Sequence, residues 1–488
     1  MSNARHSAAT AVQRRDLLKT LALLGIAGCA RAADKTGTAA TTTPTNDTGA
    51  SNTQAAKSFS ADVLVIGAGM AGLAAARTLQ QAGKQVIVLE GRQRVGGRVW
   101  TAQLAGQTID FGASWIHGVT GNPLTALAKQ VGAATVAVDY KNMARFKPAG
   151  TELTDGEDAA LEALWLAFGT WRQAQMALGG ADQSLHTAID NYASNNGLSS
   201  ADRTSLNYML ASEVEHEYAQ DAGQLSVQHY DDTGELPGGD VIFINGYRQL
   251  VDLLAQGLDV RLNTVVTGID TSGSGAKVTD STGQIWTGSR VIVTLPLGVL
   301  QANKVQFAPA LPQAVQSAIG GLGMGILDKF FLSWQGVANM PAWPTAHILG
   351  RVTEPAADPW VEWLNAHQLL QIPVLLGFVA GAPAVPLETQ SDAQVQNQAY
   401  TAAKSLFDGD LPAPAAFGRT AWGLDPFALG SYSSVRVGGS RGDCDTLAKP
   451  VSAQLFLAGE HTHGEHQGTV HGALLSGQRA AAQVLAKG

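Results

Sequence analysis

Val63-Leu64-Val65-Ile66-Gly67-Ala68-Gly69-Met70-Ala71-Gly72 is the stretch whose reading decides the fold. The β-branched run Val63–Ile66 reads as a strand buried on both faces, as in a parallel sheet. It runs straight into three glycines at G-x-G-x-x-G spacing. Gly67 allows the tight turn, Gly69 lets a pyrophosphate approach the backbone, and Gly72 lets the next helix pack close to the strand. Met70 and Ala71 fall in the first helical turn, whose amides and positive dipole end face phosphate. The helical stretch ends near Gly83, and a second strand, Gln85–Leu89, closes on Glu90. An acid about 20 residues past the glycines is placed to hold ribose hydroxyls. The whole order is a dinucleotide site, open on these residues alone to NAD or FAD.

The next stretch separates the two. Glu90-Gly91-Arg92-Gln93-Arg94-Val95-Gly96-Gly97-Arg98 adds a second glycine pair and so a second close backbone approach. Here the chain resembles the flavin-containing amine oxidases, whose fingerprint places Glu-x-Arg and Gly-Gly-Arg at this point. Gly112-Ala113-Ser114-Trp115-Ile116-His117-Gly118 resembles a segment of polyamine oxidases. Leu262–Val266 looks like the strand whose valine backbone, here Val266, contacts adenine, and Asn245-Gly246-Tyr247 opens a helix. Leu295-Pro296-Leu297-Gly298-Val299-Leu300 sits where such chains leave the flavin domain. Gly459-Glu460-His461-Thr462 and Gly468-Thr469-Val470-His471-Gly472-Ala473 are similar to the terminal flavin motif of polyamine oxidases and lysine-specific histone demethylases. The match runs from about Asp62 to the C-terminus.

The resemblance implies an α/β fold in which a doubly wound, Rossmann-like FAD-binding domain is assembled from residues 59–140, 236–302 and 419–488. Residues 141–235 and 303–418 would form an interleaved α+β substrate domain. FAD contacts are expected from Gly67, Gly69, Met70, Ala71, Gly72, Glu90, Arg92, Gly97, Arg98, Gly112, Ala113, Ser114, Trp115, Val266, Trp422, Gly459, Glu460, Thr469 and Val470. The C-terminal stretch also carries small residues (Gly472, Ala473, Ser476, Gly477, Ala480) at near-helical spacing. Such a helix can press close to a ligand, with its N-terminal dipole facing reduced flavin.

Lys329 stands in the apolar strand Ile326–Leu332, where a lysine needs a partner or a shifted pKa. By resemblance it holds a water against flavin N5; the plainer reading is a lysine pointing to solvent. Tyr432 and Trp422 resemble the aromatic residues beside the isoalloxazine, where they suit an amine substrate, or else they are core. His117 is placed either on the substrate channel or as a satisfied core histidine. Ser431 replaces the cysteine that carries covalent flavin in monoamine oxidases, and Thr469 replaces the second cage tyrosine. FAD is therefore expected to be noncovalent, with one cage wall open.

Glu213, Glu215, Glu217 and Asp221 read as a solvated helix face or, less directly, as a channel lining for a polycation. His461, His463, Glu465, His466 and His471 have metal-like spacing, but two of them belong to flavin motifs, so no metal site is assigned. The expected function is oxidation of a primary or secondary amine, with a polyamine favoured and O2 or an electron-transfer protein as oxidant. An L-amino-acid oxidase would instead need an arginine for the substrate carboxylate, such as Arg145. A non-catalytic flavin-bearing binding protein is the third reading.

The 488 residues carry a net charge of −8, which argues against nucleic-acid binding and permits a cationic substrate. Arg14-Arg15-Asp16 before the apolar run Leu17–Gly28 resembles a twin-arginine export signal of bacterial type over residues 1–28. Ile26-Ala27-Gly28-Cys29 resembles a lipobox that would tether the mature protein through Cys29 to a membrane, with cleavage after Ala32 as the alternative. Residues 29–58 read as a flexible linker, and the location as periplasmic or membrane-anchored.

Overall fold

Phe59–Ile66 forms a strand, and every side chain on it from Val63 onward is buried. That pattern requires cover on both faces, and the strand pairs in parallel with Val86–Leu89 on one side and Ile285–Val293 on the other. Asp259–Arg261 extends the sheet past Val86–Leu89, again in parallel. The long strand Ile285–Val293 divides its pairing. Its C-terminal half takes Leu455–Leu457 in parallel, and its N-terminal half starts an antiparallel ribbon with Ala276–Asp280 and Val266–Asp270. The result is a mixed α/β fold around a parallel sheet. The computed structural model describes residues 30–31, 59–232 and 234–487. The expected export signal, Cys29 and, apart from Ala30–Arg31, the linker to Ser58 lie outside the described residues.

Two helices lie against each other over this sheet, Met70–Gln81 and the terminal helix Val470–Leu485. A Cβ on Gly72 would stand 1.9 Å from the Gly67 carbonyl oxygen, so the close helix–turn packing read from the sequence is real. A Cβ on Gly477 would stand 2.0 Å from the Ala71 carbonyl oxygen. The small-residue stripe of the terminal helix thus serves chiefly to cross the dinucleotide helix. Of its members, Ala473 alone lines the cavity described below, which corrects the reading of the whole stripe as a ligand-facing surface.

A second sheet joins Ala416–Thr420, Leu327–Ser333, Val374–Ala380, Glu362–Asn365, Ile348–Arg351 and Met143–Phe146, with Ala30–Arg31 at its edge. Its neighbours are antiparallel except for the last pair. Gln306–Ala308, assigned from the sequence to the second domain, instead pairs with Val266–Asp270 on the first sheet. Helices Asp155–Ala177, Leu185–Asn195 and Ser200–Leu210 build a separate apolar cluster around Trp165, Phe168 and Tyr208. Ser200–Leu210 continues as a π-helical turn, Ala211–Glu215, and then His216–Tyr218. Glu213, Glu215 and Glu217 on this segment are half-buried, not the solvated acidic face that the sequence suggested. No helix among the described residues is long and apolar enough to cross a membrane.

Gly477→Val should cost about 1–3 kcal/mol, the range for forcing extra methylenes into a packed core. A urea melt measures this; unchanged stability would show that the helices part freely.

Candidate active site

A cavity of about 400 Å³ lies where the two glycine turns, the ribbon strand at Val266 and the start of the terminal helix meet. Gly69 bridges to Gly96, and the Gly96 N–H donates to the Ala68 carbonyl at 2.8 Å, so the two turns are built on one another. No side chain caps the helix at Gly69. Its first-turn amides therefore face the cavity as donors for an anionic group. Of the residues expected to hold the dinucleotide, Gly67, Gly69, Met70, Ala71, Glu90, Arg92, Gly97, Arg98, Ala113, Val266, Gly459, Glu460, Thr469 and Val470 line it.

Glu90 sits at the end of its strand with Oε2 accepting the Ala68 N–H at 2.7 Å and Oε1 the Arg92 N–H at 2.8 Å. Both oxygens keep a lone pair for ribose hydroxyls. Val266 begins its strand rather than ending one over 262–266: Asn263 has a positive φ, and the Asn263 and Thr264 amides donate back to Arg92 and Glu90. The elongated cavity, bare helix amides, acid at the ribose position and closely packed glycines fit FAD.

Glu460 is 3% exposed and fully engaged. Arg98 binds its Oε1 at 2.9 Å, while the Ser433 hydroxyl and the Gly468 N–H bind Oε2 at 2.6 and 3.0 Å. Burial pushes this carboxyl up, but Arg98, His461 and Ser433 outweigh it and hold it below the usual range. Arg92 lines the cavity while gripping Asp425 in a bidentate pair at 2.8 and 2.9 Å, with its guanidinium over the Phe427 ring. Pro426 and Phe427 thereby become part of the wall. Thr469 is committed too: its hydroxyl caps the terminal helix at the Gly472 N–H and donates to the His466 carbonyl. The residue that stands in place of the second cage tyrosine is thus a helix cap on the cavity wall.

Several expected residues stand behind the wall. Gly72 is used in packing. Lys329 is completely buried, so the solvent-pointing reading fails. Its ammonium donates to the Gly112 carbonyl and Ser114 hydroxyl at 2.6 Å each and more weakly to the Asp110 carbonyl at 3.3 Å, beneath the Trp115 ring. Gly112, Ser114 and Trp115 thus serve Lys329, and it is Ala113 between them that meets the cavity. Burial pushes the Asp110 carboxyl up to about 6, against the pull of Thr101, the Tyr247 N–H and the Lys329 charge.

Tyr432 is buried, and its hydroxyl donates to the His216 carbonyl at 2.7 Å. Its neighbours fix it: Arg98 donates to the Ser431 carbonyl, and Ser433 is tied to Glu460. Burial first, then Glu217 and Glu460, drive the phenol well above its usual range, so it stays neutral. Trp422 is equally buried but packs against Ala428 and Trp100, outside the cavity lining. A packing role accounts for it better than direct ligand contact. His117 is partly exposed, with Nδ1 3.1 Å from Asp240 Oδ2; Asp240 also accepts the Gly118 N–H and the Tyr140 hydroxyl. That carboxylate orients the ring, which is neither fully buried nor on the cavity lining.

The His463 ring stacks on His466, and His471 meets His466 edge-on; among the described residues no group of three or more ligating side chains is arranged to hold a metal ion. Asp240, Asp425 and Phe427 had no recognised place in the sequence reading. Asp425 and Phe427 adjoin Trp422 in the chain, whereas nothing local marks Asp240.

Residues 70–485 match the family model described as flavin containing amine oxidoreductase. The chain belongs to this family. As a flavin amine oxidase, it is 35% identical over 437 residues to polyamine oxidase 4 of Oryza sativa subsp. japonica, covering 86% of this chain and 87% of that one. It is 34% identical to polyamine oxidase 2 of Arabidopsis thaliana, over 87% and 88% of the two chains. Lysine-specific histone demethylase 1 homolog 3 of Oryza sativa subsp. indica is also 34% identical, over 86% of this chain and 54% of that protein. The structure of putrescine oxidase bound to putrescine superposes with a TM-score of 0.72 at 20% identity, over 88% of this chain and 100% of that one. That likeness establishes the fold.

Removing Glu460 would strand Arg98 in a buried site. Glu460→Ala should cost about 3–5 kcal/mol, the range for breaking one side of a buried pair, measured by chemical denaturation. Because this carboxyl is held below its ordinary 4.5, its contribution is present above that pH and is lost as pH falls. The difference between wild type and Glu460→Ala should therefore shrink in acid; a constant difference would contradict the assignment.

Proposed function

We propose that this flavin amine oxidase acts on a polyamine, with FAD held noncovalently. The observation that carries the substrate class is the placement of the Glu213–Glu217 segment against Tyr432. The Tyr432 hydroxyl binds the carbonyl of His216, and the charge of Glu217 reaches the tyrosine ring. Burial lifts Glu215 to about 7 despite its bond from the Ala222 N–H. Acidic side chains gathered beside a tyrosine suit a chain of ammonium groups. The names of the relatives point the same way.

FAD held by residues such as Gly69, Glu90 and Arg98 would supply hydride acceptance from the amine's α-carbon, with O2 reduced to hydrogen peroxide and the imine hydrolysing to an aldehyde plus ammonia or a smaller amine. Around it, the residues orient and desolvate. Tyr432 is a rigid neutral ring behind the wall, Lys329 a fixed amine behind Ala113, and His117 a ring steered by Asp240. Ser431 bonds to the Leu327 amide and carbonyl instead of presenting a thiol. Cys444 is buried in the apolar core beneath the first sheet, so among the described residues no thiol lines the cavity, which supports noncovalent FAD.

The amino-acid oxidase reading loses its anchor. Arg145 is buried and spends its guanidinium on Asp158 at 2.7 Å and Glu162 at 2.5 Å. Under anaerobic conditions spermidine or putrescine should bleach the flavin absorbance and amino acids should not. Bleaching by amino acids alone, or by no amine, would defeat the proposal. Lys329→Met should slow flavin reduction, reoxidation or both by about tenfold or more, about 1.4 kcal/mol of barrier, as read by stopped flow. Unchanged rates in both half-reactions would remove Lys329 from the chemistry.

A further inference from the structure

The strand that carries Lys329 turns Asp328 to its other side, where it is completely buried. Asp328 Oδ1 accepts the Thr420 hydroxyl and, at 3.2 Å, the Trp422 N–H. Glu388 arrives beside it on the short helix Ala384–Thr389 and accepts the N–H of Gly423, the residue next to Trp422, so the two carboxyls take consecutive amides. Two carboxylates have no donor between them, so a hydrogen bond joins these acids only while one of them keeps a proton. Thr420 extends the network, accepting the Lys329 N–H at 2.7 Å. Together the acids grip residues 420–423. The chain then passes to Asp425, held by Arg92, and to Pro426 and Phe427 on the cavity wall.

We propose that Asp328 and Glu388 share one proton and act as positioning residues, holding the 420–427 segment over the cofactor cavity until rising pH removes that proton. Burial raises both carboxyls, and the charge of Glu388 adds to the rise at Asp328. Arg419 is the cation facing the pair, and it eases the charge on Glu388 while bonded to the Leu387 and Gln390 carbonyls and to Asp392. The Lys329 ammonium lies across the strand on the 110–114 segment. A carboxyl that holds its proton more tightly when folded weakens the folded arrangement as pH rises. The clamp is therefore complete while the proton is held and opens as pH rises.

The test follows FAD release from the holoenzyme by the fluorescence of freed flavin, over about pH 6 to about pH 10, in wild type, Asp328→Asn and Glu388→Gln. Each variant supplies an amide donor to the partner acid and needs no proton. In wild type the FAD dissociation constant should rise with pH by up to about tenfold per unit once the proton leaves. Both variants should lack that rise. A flat wild-type profile, or the same slope in wild type and variants, overturns the proposal. Should Asp328→Asn fail to fold, Glu388→Gln against wild type decides alone.

Discussion

The ion pair between Arg98 and Glu460 joins two parts of the chain 362 residues apart in sequence, and much of the site is arranged around it. A buried pair of this kind repays its desolvation only when the remaining donors and acceptors are also met. Here they are met by the site itself. Arg98 reaches the Ser431 carbonyl, while Glu460 takes the Ser433 hydroxyl and the Gly468 amide. One interaction therefore fixes the second glycine turn, the approach to the terminal helix and the tyrosine between the two serines. The cavity wall and the aromatic face share a single anchor.

The same device recurs at lower stakes. Asp425 holds Arg92, Asp240 orients His117, and Asp110 receives the Tyr247 amide at the start of the helix Arg248–Ala255. Each carboxylate links segments that are remote in sequence. Glycine backbone lines much of the cavity, and ionic side chains on its wall, among them Arg92, Arg98 and Glu460, tie it to outer segments. Backbone that approaches a ligand closely cannot adjust itself, so its accuracy has to come from these outer ties.

The sequence reveals local features well and assembled ones poorly. Val63–Gly72 could be read because one strand, one turn and one helix terminus each demand particular residues in a fixed order, and Gly72 packs as that order requires. The lysine in an apolar strand was conspicuous for the same reason. Its partners were not, because Asp110, Gly112 and Ser114 meet it only through the tertiary fold. Motif position puts Trp422 and Thr469 on the ligand, yet Trp422 packs against Trp100, and Thr469 reaches the cavity wall while also capping a helix. Alternation along a strand or periodicity along a helix tells which face is buried, not what lies against it. The acids on Ala211–Tyr218 illustrate that limit: an ordinary helical wheel presumes a turn that the π-helical segment does not make.

The crossing at Gly477 bears on the order of biogenesis. The cavity walls begin at Ile66 and are finished only by Ala473, on a helix seated directly against Ala71. On the ribosome, a chain that has already made its phosphate turn still lacks the opposite bank of the groove. Cofactor capture is thus a late event, postponed until the helix Val470–Leu485 has emerged, and the early glycine loop waits as a half-site for a helix hundreds of residues away.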